Sequence, residues 1–356
     1  MDSGGVPGYA AINARVRVMF STLQTPQDVA GLVEAADFGV LVTQLKHTAY
    51  GPYLDKVGET ELTPRQSVFQ VKGRLSDSYG TIIRNVPKHA RALLLQMFRY
   101  FELDNLKAVL RGIVTGASWE RVRFVLYPED SISSIPAQEM VESGNVATAV
   151  ELLHGTPYYE TLAHAMKRYS AEQSLFPLEV ALDLDYGREL WKLVNELPGD
   201  DRTQALKIVG GLVDMNNLMW AIRYRVYHHL SEEEIINYTL PFGYRVRDAD
   251  IRSIAAGVDI AQVVKRVYPD LGNVDELLQE PWARLTELEI RLKRHVMHQC
   301  MAAFVGNPFH VGLPLAYLVL SDFEIQDLTV LLEAKASQLP LEAYQPYLVR
   351  EPAYRG

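Results

Sequence analysis

An eleven-residue pattern that occurs three times constrains the fold of this chain more than any other feature. The copies occupy residues 101–111, 213–223 and 323–333, so they begin 112 and 110 residues apart. Each reads apolar, acidic, apolar, polar, Asn or Asp, Leu, with two apolar residues three and four positions after that Leu. Solenoid repeats recur at roughly 20–50 residues. The longer period therefore predicts three copies of a small helical domain.

Helix start signals accompany the copies. Thr63-Pro64 combines a capping residue with a proline that fits the first helical turn, and Ser231 with Glu234 forms a capping box. Pro314 is expected to begin the last long helix. Apolar residues between these signals keep a helical period, and no strong strand-like alternation occurs. The chain is therefore predicted to be all-α, with three similar helical domains in residues 1–128, 129–241 and 242–356.

The composition is that of an ordinary globular protein, and it narrows the choice of partners. Of 356 residues, 48% are apolar and 22% are charged, and the net charge is −9. An acidic chain matches nucleic acid poorly, because phosphates are bound by basic surfaces. The most apolar run, residues 311–320, is shorter than the roughly 20 residues of a bilayer span, and no signal peptide is evident. With one cysteine, Cys300, the chain is expected in a reducing cytoplasm.

The sequence carries no recognisable motif of enzyme chemistry. It has no Walker loop, no Gly-x-Gly-x-x-Gly turn after a strand and no Gly-x-Ser-x-Gly elbow. His295, His298 and Cys300 form one metal-like cluster, but on a helix Cys300 points away from the two histidines, and zinc needs three or four converging ligands. A core role is favoured for these three residues over a metal-dependent enzyme site. We predict no catalytic residue, metal, cofactor or small-molecule substrate.

The polar residues of the repeated pattern are the strongest binding candidates. In each copy the acid and the following Asn or Asp are three residues apart, so they share a helix face. One interpretation is that they hydrogen-bond within the chain, because polar groups near a core need partners. The other is that three such faces converge around a pseudo-threefold axis and line a receptor for a partner. The two interpretations are compatible. Basic residues near the ends of the long helices are added to the acidic and amide residues as candidates. The candidate partner-binding residues are Glu102, Asn105, Arg111, Asp214, Asn217, Arg223, Arg225, Glu324, Asp327 and Lys335.

Three segments carry a resemblance to a known family. Residues 307–320 read Asn-Pro-Phe-His-Val-Gly-Leu-Pro-Leu-Ala-Tyr-Leu-Val-Leu and run into the third copy of the pattern. Residues 104–111 and the closing segment 334–342 add to the similarity, which covers essentially the whole chain. On these residues the chain resembles the C subunit of prokaryotic V-type (A-type) rotary ATPases, the equivalent of the eukaryotic d subunit. It departs from its own pattern at Glu333, which stands where the other copies have a basic residue.

The resemblance implies a non-catalytic part of a machine that couples ATP synthesis or hydrolysis to ion transport. The three domains would form a funnel whose mouth takes the central shaft, subunits D and F, and whose base sits on the cytoplasmic face of the proteolipid c-ring. The membrane subunit a/I is a further candidate neighbour. Reversing the charge of Arg111, Arg223 or Lys335 is predicted to weaken shaft binding more than folding. The alternative is a generic all-helical scaffold that binds another protein in its central groove.

Overall fold

The computed structural model describes residues 6–55, 62–128, 133, 135–278 and 281–353, and within these residues its regular structure is helical without a strand. The all-α prediction is confirmed. A short 3-10 helix, Gln345–Tyr347, follows the last α-helix. The α-helices in the described part of the chain are α1 (Val6–Phe20), α2 (Pro26–Val33), α3 (Phe38–Lys46), α4 (Gly51–Leu54), α5 (Pro64–Asn85), α6 (Lys88–Val114), α7 (Trp119–Val122), α8 (Ala137–Glu142), α9 (Val146–Glu151), α10 (Tyr159–Glu172), α11 (Phe176–Glu196), α12 (Gly199–Val226), α13 (Glu232–Asn237), α14 (Asp248–Ala255), α15 (Ile260–Val267), α16 (Val274–Leu278), α17 (Pro281–Ala302), α18 (Gly312–Ala336) and α19 (Leu341–Tyr344).

The predicted start signals lie at helix beginnings. Thr63 caps α5 by accepting a hydrogen bond from the Gln66 amide, and Ser231 with Glu234 forms the capping box of α13. Pro314 does not begin α18, which starts two residues earlier at Gly312. Because the first-turn amides of a helix have no intrahelical acceptor, a proline is tolerated there. The signal therefore identified the helix but misplaced its first residue.

Six long helices form three pairs of consecutive helices in contact: α5 with α6, α11 with α12, and α17 with α18. Each long helix packs against the next in the order α5, α6, α11, α12, α17 and α18, and α18 packs back against α5. The contacts therefore close into a cycle. Burial of apolar side chains along these helices supplies the main cohesive energy, at about 25 cal/mol per Å². One continuous core cluster includes residues from all six helices, and a second lies between α6 and the short helices that follow it.

Short helices pack on the three helices that carry the repeated pattern. Helix α6 contacts α8 and α9, α12 contacts α13 and α14, and α18 contacts α1 and α3. Packing therefore crosses both predicted domain boundaries, at residues 128/129 and 241/242, and the beginning of the chain packs on the last pattern helix. The domain division itself stays a prediction. In the described residues, no helix combines the length and apolarity needed to cross a bilayer.

Candidate functional site

The six acidic and amide residues of the pattern are buried in the isolated chain. Their relative exposure is between 0 and 5%. Buried polar groups that lose water must find hydrogen-bond partners, or each costs about 1–3 kcal/mol. Each of the six finds them within the chain, as the first interpretation predicted. Their binding to a partner stays a prediction. The six are Glu102, Asn105, Asp214, Asn217, Glu324 and Asp327.

The two asparagines hold the segment that leaves their helix. Asn105 donates through Nδ2 to the carbonyl oxygen of Tyr127 at 3.1 Å and accepts from the amide of the same residue at 2.7 Å. Asn217 makes the same two bonds to Leu240, at 2.8 and 2.7 Å. A single amide side chain thus pairs with both the N–H and the carbonyl oxygen of one backbone residue. We call each such pair an exit clamp.

Asp327 forms the third exit clamp with a different bonding pattern. It accepts from the backbone amides of Val349 at 2.6 Å and Arg350 at 3.0 Å. A carboxylate cannot donate, so it binds two amides where an asparagine binds one amide and one carbonyl. Burial raises the pKa of the Asp327 carboxyl to about 7, against the lowering effect of the two amides. The repeated Asn or Asp therefore has a common structural role in all three copies.

Glu324 joins the beginning of the chain to the last long helix. Its carboxylate accepts from the amide of Gln24 at 2.5 Å and from the hydroxyl of Tyr50 at 2.7 Å. The guanidinium groups of Arg74 and Arg350 each lie 3.1 Å from it. Charge-assisted hydrogen bonds of this kind are about twice as strong as neutral ones. Glu324 is therefore the centre of a buried ionic network between α18, α5 and the segment before α2.

The acids of the other two copies bind a tyrosine hydroxyl or backbone amides. Glu102 accepts from the hydroxyl of Tyr158. Asp214 accepts from the amides of Tyr244 at 2.7 Å and Arg245 at 2.5 Å, and burial raises the pKa of its carboxyl to about 6. Gly243 precedes this turn, and a Cβ there would collide with Oδ1 of Asp214, so the close approach requires glycine. Each of the three acids thus accepts hydrogen bonds from backbone amides or from a tyrosine hydroxyl of another segment.

Two of the predicted basic residues link neighbouring long helices. Arg111 on α6 makes a bidentate contact with Glu179 on α11, at 2.7 and 2.8 Å. Arg223 on α12 pairs with Glu289 on α17. The side chain of Arg111 remains 61% exposed. These ion pairs therefore connect one pair of long helices to the next while leaving part of each arginine side chain accessible.

The other two basic residues bind the C-terminal ends of short helices. Arg225 donates to the carbonyl oxygens of Ile254 at 2.9 Å and Val258 at 2.7 Å, at the end of α14. Lys335 donates to the carbonyl oxygen of Val33, the last residue of α2, at 2.8 Å. Helix C-termini carry partial negative charge and unpaired carbonyls, which cations stabilise. All ten predicted residues therefore have contacts inside the chain.

The histidine and cysteine cluster does not converge into a ligand set. Cys300 is fully buried in the core, where burial raises the pKa of its thiol. His295 contacts Asp270 at 3.1 Å and Gln299 at 2.9 Å. No group of three potential metal-binding side chains occurs in the parts of the chain that the structure describes.

A cavity of about 130 Å³ lies among the six long helices, and each of them contributes to its wall. The sequence predicted the face of the pattern helices that carries the acidic and amide residues, but not the face that lines this cavity. The wall contains corresponding residues from the three copies, but none of the ten predicted partner-binding residues, so the convergence of their polar faces stays a prediction. These sets are Met97, Val209 and Val319; Tyr100, Leu212 and Asp322; and Phe101, Val213 and Phe323.

Residues 12–347 match the family model described as ATP synthase (C/AC39) subunit. The chain belongs to this family. It is 25% identical over 350 residues to a protein of Methanocaldococcus jannaschii that is named as the C subunit of an A-type ATP synthase, covering 96% of this chain and 86% of that protein. A protein with the same name from Archaeoglobus fulgidus is 24% identical, and the match covers 97% of each chain. Another from Pyrococcus horikoshii is 25% identical, and the match covers 92% of this chain and 87% of that protein. The resemblance found in the sequence is thereby confirmed.

Proposed function

We propose that this chain is the non-catalytic component of the central stalk that couples the D–F shaft of a rotary ATPase to the c-ring. The observation that carries the proposal is the cavity whose wall takes corresponding residues from three repeats and all six long helices. Membership of the ATP synthase family described above supplies the class of machine. The shaft tip would enter this cavity, and the c-ring would bind elsewhere on the chain at the cytoplasmic face of the membrane.

The contacts between neighbouring helix pairs suit the transmission of torque. An element that passes rotation must resist shear between its parts. Arg111 with Glu179 and Arg223 with Glu289 cross two of the junctions between pairs, and Arg74 with Glu324 crosses the third, between α5 and α18. Each junction thus adds an ionic contact to apolar packing. No catalytic step is assigned to this chain, and ATP synthesis or hydrolysis would belong to the complex.

The proposal is tested by measuring binding of the purified chain to two partners separately. One is the purified D–F complex, and the other is the c-ring in detergent. We expect binding to both. Binding to neither would contradict the proposal and favour a helical scaffold for a different protein. Binding to the shaft alone would place the c-ring contact on another protein of the complex.

Charge reversal at Arg111 separates partner binding from folding. Arg111→Glu is expected to weaken D–F binding about tenfold, because the reversed charge would repel the group of the shaft that Arg111 is predicted to bind. It should lower the unfolding free energy by only about 1 kcal/mol, since ion pairs this exposed contribute little. Affinity is measured by calorimetry and stability by urea denaturation.

Arg168→Glu is the matched control for this experiment. Arg168 also pairs with a glutamate, Glu172, and its side chain is 49% exposed, but it lies on α10 outside the cycle of long helices. Equal shaft affinity for the two variants would show that Arg111 serves only to link α6 and α11. Unfolding of the Arg111 variant would lead to the same conclusion.

A further inference from the structure

Most charged side chains around the cavity are already neutralised by a partner. Lys107 pairs with Asp183 across α6 and α11. Lys293 lies 3.0 Å from Glu289 and donates to Oε1 of Gln326 at 2.9 Å. Glu289 also forms an ion pair with Arg223. Because Glu289 is shared by two cations, these groups leave one net positive charge on their part of the wall, so they give a visiting cation little to bind.

Asp322 on α18 differs from these groups. Its Oδ2 accepts from Nε2 of Gln326 at 2.9 Å, while its Oδ1 is buried and has no hydrogen-bond partner. No lysine or arginine among the described residues lies within ion-pair distance of it. A buried carboxylate oxygen that is neither solvated nor bonded costs free energy, and it is a strong acceptor for any donor that reaches it. Asp322 also lines the cavity.

Asp104 adds a second unpaired carboxylate on the facing helix α6, one turn after Tyr100. Among the described residues it has no ion pair, and its negative charge is close enough to Asp322 to raise the pKa of the Asp322 carboxyl. Burial is the larger cause and brings the pKa of each of these two carboxyls to about 6. The cavity therefore combines the carboxylate of Asp322 with an apolar wall, and Asp104 acts on that carboxylate from outside the lining.

We propose that Asp322, supported by Asp104, is the acceptor for a lysine or arginine side chain at the tip of the shaft. The inference rests on the proposed function and specifies the chemistry of the tip. Apolar residues of the wall, Met97, Val209 and Val319 among them, would surround the aliphatic stem of that side chain. The charged head would bind the carboxylate of Asp322, which lines the cavity. A tip that is apolar with one cationic group fits this cavity, whereas an acidic tip would be repelled.

Docking should then be linked to proton release. The other charged groups that act on these two carboxyls are Lys293 on α17, Lys72 on α5, Lys107 and Arg111 on α6, and Asp183 on α11. Helix α12 contributes the uncharged Asn216 to the same cavity. In the free chain near pH 6 the two carboxyls are partly protonated. A cation favours the ionised form, so binding lowers their pKa and expels protons. Shaft affinity should therefore increase as the pH rises from 5 to 7.

The test compares wild type, Asp322→Asn and Asp185→Asn in calorimetric titrations with purified D–F complex. Asp185 is the matched control because it is an exposed acid on α11 that does not line the cavity. Titrations at pH 6 in two buffers of different ionisation enthalpy report the protons released. We expect net proton release by wild type, affinity about tenfold weaker for Asp322→Asn and unchanged affinity for Asp185→Asn.

The outcomes separate this inference from the proposed function. If wild type does not bind the shaft, both are overturned. If it binds without proton release, or if Asp322→Asn binds as tightly as Asp185→Asn, the acceptor role is wrong while the coupling function stands. Folding is not expected to obscure the result, since asparagine retains an oxygen for Gln326 and removes a buried charge. Proton release by wild type also gives an answer without any variant.

Discussion

Replacing Glu324 with alanine is expected to lower the free energy of unfolding by about 3–5 kcal/mol, because removing one partner of a buried ion pair leaves the other charge uncompensated. Here two cations would be left. The side chains of Arg74 and Arg350 are only 10 and 11% exposed. The hydroxyl of Tyr50 and the amide of Gln24 would lose their acceptor as well. Urea denaturation followed by circular dichroism measures the change.

Glu333→Ala provides the control for this prediction. Glu333 lies on the same helix but is exposed, so its removal should change stability by about 0.5 kcal/mol or less. Hydrogen exchange offers a second measurement. In the Glu324 variant it should rise first in α1 to α5, because Glu324 fastens residues from that part of the chain to α18. A loss of stability similar to that of Glu333→Ala would show that the network contributes little.

Local patterns predicted the helices well because helix formation depends on neighbouring residues. The apolar period and Pro314 predicted a long last helix, and α18 spans Gly312–Ala336. The capping signals at Thr63 and Ser231 also depend on side chains within three residues of the cap. Each of these predictions used information that lies within a few turns of the chain.

The partners of the polar residues could not be predicted in the same way. Gln24 and Glu324 are 300 residues apart in sequence, and nothing in either neighbourhood indicates the other. One signal was available, however. A Thr-x-Tyr turn occurs at residues 48–50 and again at 156–158, and each tyrosine donates to a pattern acid, Tyr50 to Glu324 and Tyr158 to Glu102. The recurrence of the turn indicates two equivalent tyrosines, but their separations from the acids, 274 and 56 residues, differ, so it does not indicate which acid each one contacts.

Adjacent residues of the pattern also lie on two different faces of the helix. Successive residues of a helix point about 100° apart. In the second copy, Asn217 therefore forms the exit clamp while its neighbour Asn216 lines the cavity. From sequence the two asparagines are equivalent candidates, and only the packing of α12 between α11, α17 and α18 distinguishes them. This pair of neighbours allows the exit clamp and the cavity to be tested separately.

Asn217→Ala is expected to lower the free energy of unfolding by about 2–4 kcal/mol, since each buried polar group left without a partner costs about 1–3 kcal/mol. Both the backbone amide and the backbone carbonyl of Leu240 would lose their hydrogen-bond partner, and Leu240 is only 2% exposed. Asn216→Ala, by contrast, should change stability by about 0.5 kcal/mol or less, because Asn216 is only half-buried on the cavity wall. Urea denaturation and D–F titration of both variants complete the comparison. Equal loss of stability would contradict the exit clamp. A loss of shaft affinity confined to the Asn216 variant would support entry of the shaft into this cavity, because that variant keeps its fold and changes only the cavity wall.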